Sequence, residues 1–221
     1  GYAQAAVGEA FLKIGVGGLR RIAAKYRFFD PFPLLVPART EAAWEADRVG
    51  FVQTCALGGY AYRLDCAVGT EGDAIVVRYR LENTGSLPLL TEQYSHNFFR
   101  FDGAATGPDY EVVFPHEVGP GRPVPEGRKK RVDRNGNVLA VAREVEFLFN
   151  ENVPVPPGFA GENRVVTLHR TKGMAIASSV DLPPRRHVVH LGPHYVCPEQ
   201  FVEIALEPGA AREWTRRYLF V

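Results

Sequence analysis

Asp73-Ala74-Ile75-Val76-Val77-Arg78-Tyr79-Arg80-Leu81-Glu82 is the stretch on which the fold assignment turns. Ile75, Val77, Tyr79 and Leu81 occupy one set of alternate positions, and Arg78, Arg80 and Glu82 the other. A period of two is the mark of a strand with one buried face. Upstream, 59–68 aligns Tyr60, Tyr62, Leu64, Cys66 and Val68; downstream, 144–149 aligns Val145, Phe147 and Phe149. Further strands fit 49–54, 92–101, 110–114, 164–170, 174–180, 186–191, 201–206 and 214–221. Turn signals separate them: Asn83-Thr84-Gly85, Asp102-Gly103, Asn135-Gly136 and Pro208-Gly209. Only 18–26 (GLRRIAAKY) reads as helical. Many strands at short intervals predict an all-β chain, an antiparallel β-sandwich or barrel. At 221 residues it fits one domain spanning 1–221.

Composition narrows the function classes. Hydrophobic residues make up 46% and charged residues 23%, the profile of a globular domain. Lys and Arg total 26 against 25 Asp and Glu, a net charge of +1. That balance supplies no broad field for nucleic acid or anionic lipid, so neither is expected as a partner. The basic run Arg128-Lys129-Lys130-Arg131 lies among Pro, Gly and Asp and reads as a solvated loop. No apolar run reaches the roughly 18 residues of a membrane span. Cys55, Cys66 and Cys197 show no C-x-x-C spacing, which argues against a disulfide framework or a zinc site. The opening Gly1-Tyr2-Ala3-Gln4 carries no initiator Met and no basic-then-apolar signal pattern. The unpatterned thiols lead us to expect a cytoplasmic protein. Two long polar segments, 115–137 and 150–163, read as loops that carry function or cover a cleft.

Two clusters hold the candidate chemistry. In 91–99, Tyr94, His96 and Phe98 point one way if the segment is a strand, setting an imidazole between two aromatics. Such a His is either satisfied by a backbone carbonyl or placed for proton transfer at neutral pH. In 194–203, Pro198 cannot donate to a sheet ladder and is expected at a strand boundary, edge or bulge. Glu199 would then sit where a strand is interrupted, whereas Glu203 alternates with apolar residues and reads as solvent-facing. Lys13 is a charge inside an apolar run and must reach water or a partner. Gly15-x-Gly17-Gly18 lacks the Lys-Ser/Thr of a phosphate loop. Arg20 and Arg21 are either surface residues or contacts for hydroxyls. His187 and His190, three apart on a strand, face opposite ways and do not share a metal.

At these clusters the chain resembles the aldose 1-epimerase (galactose mutarotase-like) superfamily. Glu92-Gln93-Tyr94-Ser95-His96-Asn97-Phe98-Phe99 is similar to the family's His-bearing segment of the form N-H-x-Y-F-N. Val196-Cys197-Pro198-Glu199-Gln200 resembles its C-L-E-T-Q segment, and Leu206-Glu207-Pro208-Gly209 its closing turn. Gly8 to Gly17 is similar to a divergent branch of the superfamily. The resemblance implies a large antiparallel β-sandwich and a concave sugar cleft with His96 as general acid and Glu199 as general base. It also implies that part of the family's sheet and a further His-bearing segment fall outside this sequence. Departures around Glu199, Leu to Pro and Thr to Gln, bear on its aim, and the family's acidic hydroxyl-binding residue has no counterpart.

From the resemblance we expect a small-molecule sugar substrate, ring opening by acid–base catalysis, and no cofactor or metal. Lys13, Arg20 and Tyr94 are expected to hold hydroxyls and Phe98 to offer a stacking face. The competing expectations are a non-catalytic carbohydrate-binding sandwich, a lyase or epimerase of modified sugars, and a structural β-domain.

Overall fold

The computed structural model describes residues 1–27, 30–121 and 130–221. Its strands run, in chain order, as Ala10–Lys13 (β1), Gly17–Arg20 (β2), Leu34–Pro37 (β3), Arg39–Trp44 (β4), Arg48–Leu57 (β5) and Tyr60–Glu71 (β6). Ala74–Asn83 (β7), Leu89–Gln93 (β8), Tyr110–Val113 (β9), Val132–Asn135 (β10), Val138–Val141 (β11) and Phe149–Val153 (β12) follow. Asn163–His169 (β13), Met174–Val180 (β14), Arg186–Gly192 (β15), Tyr195–Leu206 (β16) and Ala211–Phe220 (β17) complete the chain. The one helical turn among the described residues is Arg170–Lys172. No helix among them is long and apolar enough to cross a membrane.

The residues group into two compact units. The first comprises Gly1–Thr70, Val77–Thr91 and Ile204–Trp214. It holds the antiparallel sheet β1-β2-β3 and the strand series β4-β5-β6-β7. The expected helix at 18–26 is absent: its start is β2, paired with β1 and β3, and its remainder is turn and coil. Gly17 permits this close pairing: its φ of 134° is one that side-chain-bearing residues rarely adopt, and a Cβ there would lie 2.2 Å from the Val36 carbonyl oxygen.

The second unit comprises Glu71–Val76, Glu92–Glu203 and Thr215–Val221. Here β10-β11-β9-β13-β14-β17 form one antiparallel layer and β12-β15-β16 the other. Val112, Leu139 and Val165 from the first layer share a core with Val153, Val189, Leu191 and Val196 from the second. Two antiparallel sheets on a common apolar core are a β-sandwich.

β7 falls where its alternation put it, but its burial is not one-sided. Ala74 and Val76 are buried at its start while Ile75 is exposed, and Leu81 is buried near its end. The expected strand at 144–149 is irregular up to Phe149, with Val145 buried and Phe147 exposed. β12 takes up 150–153 of the expected loop, leaving 154–162 without strand. The long loop at 115–137 is interrupted by β10, which turns into β11 through Asn135-Gly136, with Gly136 at φ 55°. Arg128 and Lys129 of the basic run lie outside the described residues.

Candidate active site

The site is built on one face of the β12-β15-β16 layer. Cys197, Glu199 and Phe201 are two residues apart on β16 and project to the same side. β15 sets His190 opposite Cys197, Val188 opposite Glu199 and Arg186 opposite Phe201. β12 extends the rows with Asn150 opposite His190 and Asn152 opposite Val188. A polar ring thus surrounds Val188.

His96 comes from the segment beyond β8. The expected strand 92–101 ends its ladder at Gln93, and only an isolated bridge between Phe99 and Val196 follows. Pro198 lies between these features. Of the expected boundary, edge or bulge it takes the edge: it sits inside β16, paired with Val189 on one side, while the segment on its other side is the one interrupted. Val196 exchanges both backbone bonds with Phe99, so Pro198, two residues on, turns its donor-less nitrogen toward the gap. Asn97 bridges that gap. Its Nδ2 donates to the Pro198 carbonyl at 2.7 Å, and its Oδ1 accepts from the Tyr218 hydroxyl at 2.9 Å.

With Asn97 turned inward, its neighbours face the site. The His96 ring stacks on Phe98 at 5.4 Å and meets Tyr94 edge-on at 5.1 Å. His96 Nδ1 lies 2.7 Å from Glu199 Oε1; the imidazole is 41% exposed and the carboxyl 7%. The Cys197 thiol donates to the same oxygen at 3.8 Å. Oε2 accepts no hydrogen bond among the described residues, which leaves it to a ligand. Burial raises the Glu199 pKa above the ordinary carboxylate value, outweighing the opposing pull of His96, the Cys197 bond and Arg186. Burial, reinforced by Glu199, also pushes the Cys197 thiol up and keeps it protonated.

A second polar chain completes the face. His190 Nδ1–H donates to Asn150 Oδ1 at 2.6 Å, and Nε2 accepts from the Tyr195 hydroxyl at 2.8 Å. Burial and the nearby His96 lower the His190 pKa, which suits this neutral tautomer. Beside the pair opens a cavity of about 620 Å³, bordered by Glu199, Arg186, Arg131, Asn150, Asn152 and Val188 among others. Small-molecule sites occupy roughly 300–1,000 Å³.

Of the residues singled out from sequence, His96, Glu199, Tyr94 and Phe98 come together here, with Tyr94 stacked on Phe201 at 4.1 Å. Lys13 and Arg20 belong to the first unit. There Lys13 Nζ donates to the Tyr26 hydroxyl at 3.1 Å, and Arg20 is exposed at the end of β2. The reading from sequence missed Cys197 as a partner of Glu199, although a strand through Pro198 would have put them on one face. It also passed over Asn97, Asn150, Asn152 and Tyr195, and weighed His190 only as a metal ligand. His187 faces the other way and is buried, as its spacing from His190 requires.

The ligand atoms of His96, Cys197 and Glu199 lie within 4.8 Å of one another, a donor set able to hold a metal ion. Binding one would require the Cys197 thiolate, and burial works against that form.

The antiparallel sandwich of the second unit is an architecture that known structures share. The chain has the galactose mutarotase-like fold. A provisional aldose 1-epimerase from Escherichia coli K12 matches with a TM-score of 0.63 at 15% identity, over 100% of this chain and 81% of that one. A galactose mutarotase-like protein from Lactobacillus casei matches with a TM-score of 0.61 at 13% identity, over 89% of this chain and 80% of that one. A Synechocystis protein matches with a TM-score of 0.60 at 11% identity over 84% of this chain, which spans 66% of that protein's length. No family model matches the sequence, and no curated protein matches it.

Proposed function

We propose that this protein interconverts the anomers of a reducing sugar, as an aldose 1-epimerase-like isomerase. The observation that carries the reading is the 2.7 Å contact between His96 Nδ1 and Glu199 Oε1 at the edge of an open polar cavity. Mutarotation removes a proton from the anomeric hydroxyl and gives one to the ring oxygen. A carboxylate and an imidazolium within reach of one ring supply both. Glu199 takes the hydroxyl proton through Oε2 as the C1–O5 bond breaks, and His96 protonates O5. The open aldehyde rotates about C1–C2. On reclosure, O5 returns its proton to His96 while O1 takes one from Glu199, so each turnover restores the starting pair. Each group contributes about 10²–10⁴-fold when held within hydrogen-bond reach.

The raised Glu199 pKa supports the reading, because a base nearer neutrality takes a proton more readily. Phe98, 55% exposed beside His96, offers a face to a sugar ring. The chemistry calls for no cofactor. The test is anomer exchange followed by polarimetry across a panel of hexoses and pentoses. His96→Ala and Glu199→Gln are each expected to lower the rate at least a hundredfold while leaving the fold intact by circular dichroism. Wild-type rates in both variants contradict the assignment. Sugar binding without exchange in the wild-type protein points instead to a carbohydrate-binding module.

A further inference from the structure

The cavity beside Glu199 is lined by two guanidiniums and two carboxylates, and their states differ. Arg131 lies over the Phe149 ring, 4.9 Å from its centroid, and Arg186 over the Phe201 ring at 3.7 Å. A guanidinium stacked on its flat face keeps its N–H groups at the edge, where the fork matches a carboxylate or phosphate. Arg186 uses Nε and Nη2 on Glu92, at 3.5 and 3.0 Å, and keeps Nη1. Arg131 has no carboxylate partner among the described residues.

Both carboxylates are already committed. Glu151 is bound by Arg134 at 2.8 Å, with the two side chains 20% and 8% exposed. Glu199 is held by His96 and Cys197. The charge of Glu151 is offset by Arg134 and that of Glu199 by a protonated His96, and the neutral amides of Asn150 and Asn152 beside them are suited to hydroxyls.

We propose that the cavity takes an anionic monosaccharide, bearing a carboxylate or a phosphate, with Arg131 and Arg186 holding the anion and the His96–Glu199 pair facing the anomeric centre. This names the substrate class of the sugar site read above and rests on that reading. A neutral hexose would leave Arg131 without an anionic partner among the described residues.

Exchange NMR of anomers with glucose, galactose, glucose 6-phosphate and galacturonate tests it, alongside calorimetric binding of the two anionic sugars, in the wild type, Arg131→Gln and Arg131→Lys. The expected result is a kcat/KM at least tenfold higher for one anionic sugar than for either neutral one. The sugar that wins tells phosphate from carboxylate. Arg131→Gln should raise KM for that sugar about 10–100-fold, the range for a lost charge-assisted bond, with a smaller change in kcat. Arg131→Lys should recover part of the loss. Neutral sugars turned over as well as anionic ones, or discrimination untouched in Arg131→Gln, would overturn the proposal and leave the isomerase reading standing. Anionic sugars that bind without exchange, and lose affinity in Arg131→Gln, would uphold it and sink the isomerase reading. An absence of anionic binding overturns it whatever the catalytic result.

Discussion

Glu199 receives two donors on one carboxylate oxygen and, among the described residues, none on the other, and that asymmetry governs what it can do. His96 and Cys197 both fall on Oε1, so the carboxyl plane is fixed while Oε2 stays open. Burial raises the Glu199 pKa, so the folded protein holds this proton more tightly than the unfolded chain does. Ionising it therefore costs stability as pH rises, yet action as a base demands ionisation. The acid limb of kcat/KM is accordingly expected above the ordinary Glu value of about 4.3. The Cys197 bond lowers the Glu199 pKa, so Cys197→Ala should move that limb to higher pH. A pH–rate series on the two proteins checks both points; a limb at the ordinary carboxylate position in the wild type would contradict the burial argument. His96 was legible as a residue because its neighbours alternate with it. Cys197 was not, because Pro198 was read as a strand boundary, edge or bulge, and no continuous strand was drawn through it to link Cys197 with Glu199.

At the scale of elements, the site depends on a strand that stops. Had β8 continued past Gln93, one of its carbonyls would have faced Pro198, which has no N–H to donate, and the ladder would have been broken in any case. Asn97 replaces the missing rungs with two side-chain bonds, to the Pro198 carbonyl and from the Tyr218 hydroxyl. Asn97 is buried, so Asn97→Ala strands both partners and should cost about 2–3 kcal/mol in chemical denaturation. It should also lower the exchange rate more than a mutation of equal cost elsewhere, because His96 is the adjacent residue. A rate that merely follows the loss of stability would show that Asn97 does not position His96. Strand positions in the C-terminal half were largely readable, since each is bounded by a turn residue such as Gly209, at φ 79°. β3 and β4 were not. Leu34–Pro37 and Arg39–Trp44 are exposed throughout, and a strand with no buried face leaves no period to read.

Over the whole molecule, the sandwich follows from alternation and turn spacing, whereas its buried polar groups could be found only in three dimensions. Behind Glu199, on the opposite face of β15 and β16, His187 Nε2 lies 3.1 Å from Asn163 Oδ1 and its Nδ1 lies 3.1 Å from His116 Nε2, whose Nδ1 faces the Glu117 carbonyl at 2.9 Å. Gln200, paired with His187 across the strands, donates to the same Asn163 oxygen at 3.0 Å. Burial, with His116 adding a like charge, lowers the His187 pKa to about 3. The unfolded chain takes up this proton near 6.5, and the folded protein resists until about 3. Stability is therefore full above 6.5 and drains as pH falls toward 3, by on the order of 4 kcal/mol at about 1.4 kcal/mol per unit. Denaturation midpoints between pH 7 and 3 should fall less steeply in His187→Gln than in the wild type; parallel slopes would show that another group governs acid stability. His187 and His116 lie 71 residues apart, a separation at which sequence patterns say nothing of contact.

The central claim is that His96 and Glu199 act together on one sugar ring. A crystal structure of the protein soaked with a panel of neutral and anionic monosaccharides tests it most directly. The account predicts a ring in the cavity with its anomeric oxygen within about 3 Å of Glu199 Oε2 and its ring oxygen within about 3 Å of His96, the distance proton transfer requires. A sugar bound with its anomeric carbon turned away from both side chains, or seated at a different face, would contradict it.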